Sequence, residues 1–204
     1  MKIFVTGIST EVGKTIVSAI ITEALEADYW KPIQAGDLGN SDSHKIEQFI
    51  SNTKTKIHSN SYALKTPMSP HGAAEIDGVQ IDLKKISEPD TNNHLVIEGA
   101  GGLLVPLNDE DTIFDLIQPG YKVIVVSRHY LGSINHTLLT INTLQNKGFQ
   151  PAIIFSGNEH FTTESIILKK TKAKFFGRIN EESYFDEAVV KKYAVRFKKP
   201  LLNW

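Results

Sequence analysis

The sequence contains no cysteine, and this absence excludes three kinds of chemistry. Disulfide bonds, thiolate metal sites and a cysteine nucleophile all require a thiol. A chain without disulfides is typical of a reducing compartment, so we expect a cytoplasmic protein.

Long apolar runs and an excess of one charge are also missing. The first apolar run, Ile3-Phe4-Val5, stops at Thr6 and Gly7, which is too short for a signal-peptide core. No stretch approaches the ~18 apolar residues that a membrane span needs. The 22 Lys and Arg nearly balance the 23 Asp and Glu, and a net charge of −1 gives no general attraction to nucleic acid or anionic membrane. We therefore expect no nucleic-acid or membrane partner, and local groups must hold any anionic ligand.

The residues that are present have the composition of one globular domain. Of the 204 residues, 41% are apolar and 22% charged, and no linker or repeat divides residues 1–204. Short β-rich runs alternate with longer segments of helical period, which predicts an α/β fold: a mostly parallel sheet with helices on both faces. The predicted strands are Lys2–Thr6, Tyr29–Ile33, His94–Glu98, Lys122–Ser127, Ala152–Ser156 and Lys174–Gly177. The predicted helices are Gly13–Glu26, Asp42–Ile50, Thr112–Ile117, Ser133–Asn146 and Thr162–Thr171.

Two segments have weaker patterns. Residues 51–93 contain Thr66-Pro67 and Ser69-Pro70, and we expect loops with a short helix or two there. The basic segment from Lys191 to Lys199 is interpreted as a solvated surface segment.

The loop after the first predicted strand has the pattern of a phosphate-binding P-loop. It reads Gly7-Ile8-Ser9-Thr10-Glu11-Val12-Gly13-Lys14-Thr15 and leads into a helix. Backbone N–H groups in such a loop point at phosphate, the lysine reaches the β- and γ-phosphates, and the hydroxyl binds Mg²⁺. Five residues separate Gly7 from Gly13, one more than in the usual pattern. The alternative is a glycine turn that caps a helix, with Lys14 in solvent.

Three charged residues at other element ends are further candidates. Lys31 stands beside Pro32 in an apolar run, either at a ligand crevice or as an edge-strand lysine that reaches water. Asp42 begins a predicted helix, where it either caps the helix or binds metal. Glu98 ends an apolar strand before Gly99-Ala100-Gly101-Gly102, which favours a carboxylate facing nucleotide-bound Mg²⁺ over an exposed turn acid.

The histidines give no support for a nucleophilic triad or a zinc site. Ser69-Pro70-His71 has no Ser-x-Gly elbow or orienting acid. The seven histidines show no H-x-x-x-H or H-E-x-x-H spacing. Leu131-Gly132-Ser133 begins a helix, as a second anion cradle or an ordinary cap.

In combination these motifs resemble the dethiobiotin synthetase family over essentially the whole chain. The segments that carry the resemblance are Val5-Thr6-Gly7, Thr10–Thr15, Lys31-Pro32, Gly36, Asn40-Ser41-Asp42, Ser69-Pro70-His71, Glu98–Gly102, Pro106-Leu107 and Leu131–His136. Thr-Glu-Val-Gly-Lys-Thr and Glu-Gly-Ala-Gly-Gly are specific together, although each alone is modest.

The resemblance implies a P-loop NTPase-like fold and an ATP-dependent cyclo-ligase of biotin biosynthesis. Its substrates would be ATP, CO₂ and 7,8-diaminopelargonic acid, whose amine becomes a carbamate, then a carbamic-phosphoric anhydride, then part of a ureido ring. By resemblance Lys31 is catalytic, and Thr15, Asp42 and Glu98 hold Mg²⁺. The residues that the resemblance assigns to ATP are Thr10, Glu11, Val12, Gly13, Lys14, Thr15, Ile16, Asp42, Glu98, Gly99, Ala100, Gly101 and Asn158.

The resemblance also implies a homodimer in which Gly132, Ser133, Ile134 and Asn135 of one copy hold the substrate of the other. Ile134, Leu138 and Ile141 would give that helix an apolar face to bury. Ala35 stands where many relatives carry a Ser or Thr that touches substrate, so only its backbone would serve. Arg178-Ile179-Asn180 replaces the usual Ile-Pro pair near the adenine.

Two other classes fit less well. Partitioning or septum-positioning ATPases share a related fold but usually carry a second lysine in the loop, and Ile8–Val12 contains none. A glutamine-dependent amidating enzyme needs a glutaminase domain, for which 204 residues leave no room.

Overall fold

A computed structural model describes residues 1–204 and has a seven-stranded parallel sheet at its centre. The strands are β1 (Lys2–Gly7), β2 (Asp28–Trp30), β3 (Ile33–Ala35), β4 (Ile57–His58), β5 (Tyr62–Leu64), β6 (Leu95–Gly102), β7 (Lys122–Arg128), β8 (Ala152–Ser156) and β9 (Lys174–Ile179). The helices are α1 (Lys14–Leu25), α2 (Asp42–Phe49), α3 (Pro70–Asp77), α4 (Ser133–Asn146), α5 (Phe161–Thr171) and α6 (Glu187–Leu202). Short 3₁₀ turns lie at Leu38–Asn40, Leu83–Lys85 and Ile113–Leu116.

The order of the central sheet is β4-β2-β6-β1-β7-β8-β9, and every pairing in it is parallel. The chain crosses from β1 through α1 toward β2, but from β7 through α4 in the opposite direction toward β8. Because such crossovers are right-handed, helices on these two paths cover opposite faces. The predicted α/β fold is therefore confirmed, and the continuous apolar run Val123–Val126 is buried as expected between two helix layers.

Strand β1 lies between β6 and β7, and this position determines where the ligand crevice is found. The loop after Gly7 emerges at the carboxyl edge of the sheet, beside the ends of β6 and β7. Ligands of open parallel sheets bind at this edge.

The predicted strand Tyr29–Ile33 is wrong in its extent, because the chain leaves the central sheet at Lys31-Pro32. Pro32 has no N–H to donate to a neighbouring strand. Its carbonyl accepts bonds from Ser61 and Tyr62, and β3 then pairs with β5 in a separate two-stranded sheet. Lys31 therefore lies at the junction between two sheets.

Three other predictions differ from the structure. Strand β6 continues past Glu98 to Gly102, so Glu98 lies within the strand. The helix predicted at Thr112–Ile117 is only a 3₁₀ turn, Ile113–Leu116. Residues 51–93 contain one short helix, α3, as expected, but also the strands β4 and β5.

The prediction that Lys191–Lys199 is a solvated surface segment is only partly correct. The segment lies within helix α6, which has one buried face. The residues of α6 that face the interior recur at helical spacing: they are Val190, Tyr193, Ala194, Phe197 and Leu201. This face packs against α1, while the lysines lie on the outside. Charge dominated the segment's composition and masked its helical period.

Forty-six buried apolar residues form a single cluster. No helix combines the length and the apolar character needed to cross a membrane.

Candidate active site

The phosphate loop is tightly curled, and its glycines allow that curl. Gly13 has φ +92°, and a Cβ there would lie 2.8 Å from the Oγ of Ser156. A Cβ on Gly7 would lie 2.7 Å from a methyl carbon of Val12. Gly13 caps α1 without any side-chain bond to the helix end, so the first N–H groups of the helix can serve an anion.

The Lys14 side chain folds back over this loop. Its Nζ donates a hydrogen bond to the carbonyl of Ser9 at 2.9 Å, and the side chain is buried. Burial lowers the pKa of Lys14 to about 8, although nearby Glu98 acts in the opposite direction. A poorly solvated ammonium at the start of a helix favours an anionic ligand more strongly than a hydrated one would.

Thr15 lies between two carboxylates that come from distant parts of the sequence. Its Oγ1 is 3.0 Å from Oδ1 of Asp42, at the start of α2, and 3.0 Å from Oε1 of Glu98, in β6. A hydroxyl has one hydrogen to donate, so it serves the two carboxylates in turn. Thr15 therefore contacts both of the carboxylates that the resemblance predicted as metal ligands beside it.

Lys31 links the same two carboxylates from the other side. Its Nζ forms ion pairs with Oδ2 of Asp42 and, at 3.3 Å, with Oε1 of Glu98. Burial lowers the pKa of Lys31, but attraction to Glu98 and Asp42 outweighs it, and the net shift is upward. For Asp42, burial raises the pKa while Lys31 lowers it, and the net shift is downward. The interpretation of Lys31 as a lysine reaching water is therefore wrong, because only 5% of it is exposed.

Tyr29 completes this cluster and was missed from the sequence. Its hydroxyl donates to Oε2 of Glu98 at 3.0 Å, and burial together with Glu98 raises its pKa well above the ordinary value. Tyr29 and Lys31 are two residues apart, and the alternation of a strand was the signal that both point toward Glu98. Gln34 was also missed: its buried side chain accepts a bond from the backbone N–H of Asp42 at 3.4 Å and so supports the start of α2.

A cavity of about 820 Å³ opens onto this cluster. The predicted site residues that line it are Thr10, Glu11, Gly13, Lys14, Thr15, Ile16, Lys31, Ala35, Asp42, Glu98, Ala100 and Gly101. One chain thus brings most of the predicted nucleotide site, the predicted catalytic lysine and one predicted substrate residue into a single space.

Two predicted ATP residues lie behind the cavity wall. Val12 is 1% exposed and belongs to the core, where it contacts the Gly7 position. Gly99 packs closely on Phe4 and Ile113, so that a Cβ there would lie 3.2 and 3.1 Å from them. At these positions the backbone alone is available for a ligand.

The remaining predicted residues lie outside this cavity. Asn158 is exposed in the turn that follows β8. Gly132, with φ +99°, caps α4, and Ile134 and Asn135 are exposed in its first turn, while Ser133 is buried. The expected apolar face of α4 is partly wrong, because Ile141 is fully buried within its own chain.

Similarity to known proteins agrees with this geometry. A family model described as an AAA domain matches residues 1–189. An ATP-dependent dethiobiotin synthetase of Christiangramia forsetii is 62% identical over 97% of this chain and 96% of its own length. Those of Cytophaga hutchinsonii and Chlamydia pneumoniae are 50% and 38% identical, over 96% and 97% of this chain and 96% and 90% of their own lengths.

Solved structures share the fold at low identity. The MinC:MinD cell division complex of Aquifex aeolicus aligns with a TM-score of 0.55 at 14% identity, covering 100% of this chain and 96% of the other. A plasmid partition protein of Borrelia burgdorferi bound to AMPPNP aligns with a TM-score of 0.59 at 12% identity, covering 99% and 98%. These likenesses concern the fold, whereas the sequence relatives share nearly the full length at high identity. The chain belongs to the ATP-dependent dethiobiotin synthetase family.

Proposed function

We propose that this chain is an ATP-dependent cyclo-ligase that forms dethiobiotin from 7,8-diaminopelargonic acid, CO₂ and ATP, a step of biotin biosynthesis. The observation that carries the proposal is the convergence of Lys14, Thr15, Lys31, Asp42 and Glu98 in one cavity of about 820 Å³. Such a cavity is large enough for a nucleotide with a small second substrate.

The reaction balances without any redox partner. One amine of the substrate adds to CO₂ and loses a proton, which gives a carbamate. A carbamate oxygen then takes the γ-phosphoryl group of ATP, and ADP leaves. Finally the second amine attacks the carbamoyl carbon and loses a proton, the ureido ring closes, and phosphate leaves with the electron pair of the broken C–O bond.

The protein's part in this chemistry is mostly positioning and charge neutralisation. The N–H groups at the start of α1 and the Lys14 ammonium would hold the phosphates. Lys31 would face the carbamate and the γ-phosphate, two anions that repel one another as they approach. A fixed ammonium stabilises charge most where it is concentrated, in the transition state.

The donor set at Thr15, Asp42 and Glu98 fits Mg²⁺. A hydroxyl and two carboxylates are hard oxygen ligands, and each carboxylate lies within hydrogen-bond distance of the hydroxyl. Bound there with ATP, the ion would neutralise phosphate charge. Tyr29 would keep the far oxygen of Glu98 occupied, so that the near one faces the site.

The second substrate would contact Ala35 in the cavity and the exposed start of α4, Gly132–Asn135, of another copy. Because the start of α4 lies outside the cavity of its own chain, we propose a homodimer. Asn158 would read the base. We further propose that residues 1–204 act as a single domain in the cytoplasm.

The test is an omission assay on the purified protein. Diaminopelargonate, bicarbonate and MgATP are supplied together, then each is left out in turn, and dethiobiotin and ADP are both measured. We expect dethiobiotin and ADP in equal amounts, and only in the complete mixture. A Lys14→Ala variant serves as the control for contaminating enzyme. ATP hydrolysis without dethiobiotin formation would refute the proposal and favour a partition-type ATPase instead.

A further inference from the structure

Lys31 lies where a cation shared by Asp42 and Glu98 would lie. We propose that Lys31 is the resident counter-ion of this carboxylate pair, and that Mg²⁺ must displace its ammonium. The nucleotide-free enzyme would then exclude free Mg²⁺ and accept the ion only together with ATP. This inference rests on the proposed metal site, but it concerns the order of binding rather than the reaction.

The contacts show that the ammonium and a metal ion beside Thr15 would compete for Oε1 of Glu98 and would share the carboxylate of Asp42. Oε1 of Glu98 contacts both Thr15 Oγ1, at 3.0 Å, and Lys31 Nζ, at 3.3 Å. Asp42 turns Oδ1 toward Thr15 and Oδ2 toward Lys31. Oε2 of Glu98 accepts a hydrogen bond from Tyr29, so Oε1 is the oxygen of Glu98 that faces both Thr15 and Lys31.

Burial makes this competition strong. Glu98 is 1% exposed and Lys31 5% exposed, so water screens neither charge well. A buried carboxylate beside a partly buried one is unfavourable without a cation, and the ammonium stabilises the pair in the absence of metal. An ion that arrived alone would share this small space with a like charge, and repulsion at such distances is large in a poorly screened site.

ATP removes this conflict because it brings several negative charges. Phosphates on the loop beside Lys14 would offer Lys31 another anionic partner within the same cavity. The ammonium could then turn from the carboxylates to the γ-phosphate and vacate their oxygens. If the metal arrives with its nucleotide, Lys31 would thus move to the γ-phosphate, where ring closure requires a cation.

The alternative is a permanent ion pair in which Lys31 stays between the carboxylates in every state. The two accounts predict different metal affinities for the nucleotide-free protein. They can be separated with Mn²⁺ as the probe, by electron paramagnetic resonance of free Mn²⁺, and no turnover is needed.

We expect wild-type protein without nucleotide to show no saturable Mn²⁺ binding at micromolar concentrations, and saturable binding once AMPPNP is added. Lys31→Met keeps the length of the side chain but removes its charge. Without nucleotide this variant should bind Mn²⁺ at least about tenfold more tightly than wild type. Mn²⁺ should also raise its Tm, since the unpaired carboxylates gain a cation.

Three further variants locate the effect. Lys45→Met removes a cation that contacts the same Asp42 at 3.5 Å from a more exposed position, and should gain far less affinity. Lys54→Met, at an exposed pair with Glu26, controls for net charge and should gain none. Adding Glu98→Gln to Lys31→Met should abolish the gain.

Equal Mn²⁺ affinities of Lys31→Met and Lys54→Met would overturn the inference. So would micromolar binding of Mn²⁺ to nucleotide-free wild type that Glu98→Gln abolishes, a result that does not depend on the folding of any Lys31 variant. Either result would leave dethiobiotin formation intact, so failure of this inference is distinct from failure of the proposed function.

Discussion

Two parts of the predicted site differ in how far one chain completes them. At the phosphate end, Lys14, Thr15, Lys31, Asp42 and Glu98 line one cavity, and the last four are joined by hydrogen bonds and ion pairs. At the start of α4 and in the turn after β8, the predicted substrate and base residues lie outside that cavity, and most of them are exposed. The phosphate end is built by the fold itself, whereas the outer part offers groups that still need a ligand or a second chain.

Similarity of fold and similarity of particular residues support different conclusions about this site. The MinC:MinD complex and the plasmid partition protein share the fold of this chain. Those likenesses at 12–15% identity carry the fold alone. We expect the chemistry that distinguishes a dethiobiotin synthetase from a partition ATPase to depend on particular residues, among them Lys31 and the lysine-free loop Ile8–Val12.

The largest expected effect is that of Lys31→Ala at the phosphate end. Removing the ammonium should lower turnover by on the order of 10²–10³-fold, because it acts where charge concentrates in the transition state. ATP affinity should fall only modestly, since Lys14 and the helix start still hold the phosphates. Steady-state dethiobiotin formation and calorimetric ATP titration measure the two quantities separately.

Two comparisons sharpen that result. Lys31→Arg keeps the charge but changes its shape and placement, so it should also be poor. Lys54→Ala, which removes an exposed lysine far from the cavity, should retain wild-type turnover. Near-normal turnover of Lys31→Ala would make the lysine a structural ion-pair partner, and the catalytic assignment would be wrong.

Glu98→Gln should have the next largest effect. The amide keeps the shape of the side chain and a contact with Tyr29, but removes the charge that would hold Mg²⁺. We expect a turnover loss of about 10²-fold and a clearly higher Mg²⁺ concentration for half-maximal activity. The measurement is a Mg²⁺ titration of turnover for Glu98→Gln and Asp42→Asn. Unchanged Mg²⁺ dependence in both variants would contradict a metal role for these carboxylates.

A smaller effect is expected at Leu131, just before the start of α4. This leucine is fully exposed, and Ile134 and Leu139 of the helix that follows it are exposed too. If they meet a second copy, Leu131→Asp should convert a dimer at micromolar concentration into a monomer. The KM for diaminopelargonate should rise about tenfold, while ATP affinity is retained, because only the outer part of the site would lose its partner.

Sedimentation at several protein concentrations measures the assembly. Val195→Asp, a similar change at an exposed valine on α6, is the matched control and should remain dimeric. A wild-type monomer with full activity would rule out the shared site.

The residues that the sequence predicted at the phosphate end line one cavity, because most of that pattern is local in sequence. A strand, a glycine-rich loop and Gly13-Lys14-Thr15 are contiguous, and the carboxyl ends of neighbouring parallel strands must meet at one edge. Asp42 and Glu98 were predicted to meet through a shared metal, and in the structure both contact Thr15 and Lys31. Tyr29 was missed because a tyrosine in an apolar strand has the ordinary pattern of a core residue, and its bond to Glu98 depends on register across two strands.

Other features could not be seen in the sequence for physical reasons. The exit of the chain at Pro32 into a second sheet depends on β5, about 30 residues later in the chain, so no local pattern shows it. Helix α6 was not predicted because the charged residues of Lys191–Lys199 obscure the helical spacing of its buried residues. The ion pairs at β9, the edge strand of the sheet, were not predicted either. Arg178 there pairs with Glu164 and Glu159, where relatives were expected to have an Ile-Pro pair.

The smallest expected effect concerns base recognition by Asn158, in the outer part of the site. Asn158 is exposed after β8, and its neighbour Ser156 touches the Gly13 position of the phosphate loop. A nucleotide seated on the loop would thus have this turn beside it, and the amide would add one or two hydrogen bonds to the base.

Because a net hydrogen bond contributes about 0.5–1.5 kcal/mol, Asn158→Ala should weaken ATP binding by roughly three- to tenfold. Affinity for inorganic triphosphate, which has no base, should stay unchanged, and the preference for ATP over GTP should shrink by the same factor. Calorimetric titration of wild type and variant with the three ligands measures this, with Glu159→Ala, also exposed in the same turn, as the matched control. Equal losses for ATP and triphosphate would show that the variant disturbs the phosphate loop, and an unchanged ATP affinity would show that the base is read elsewhere.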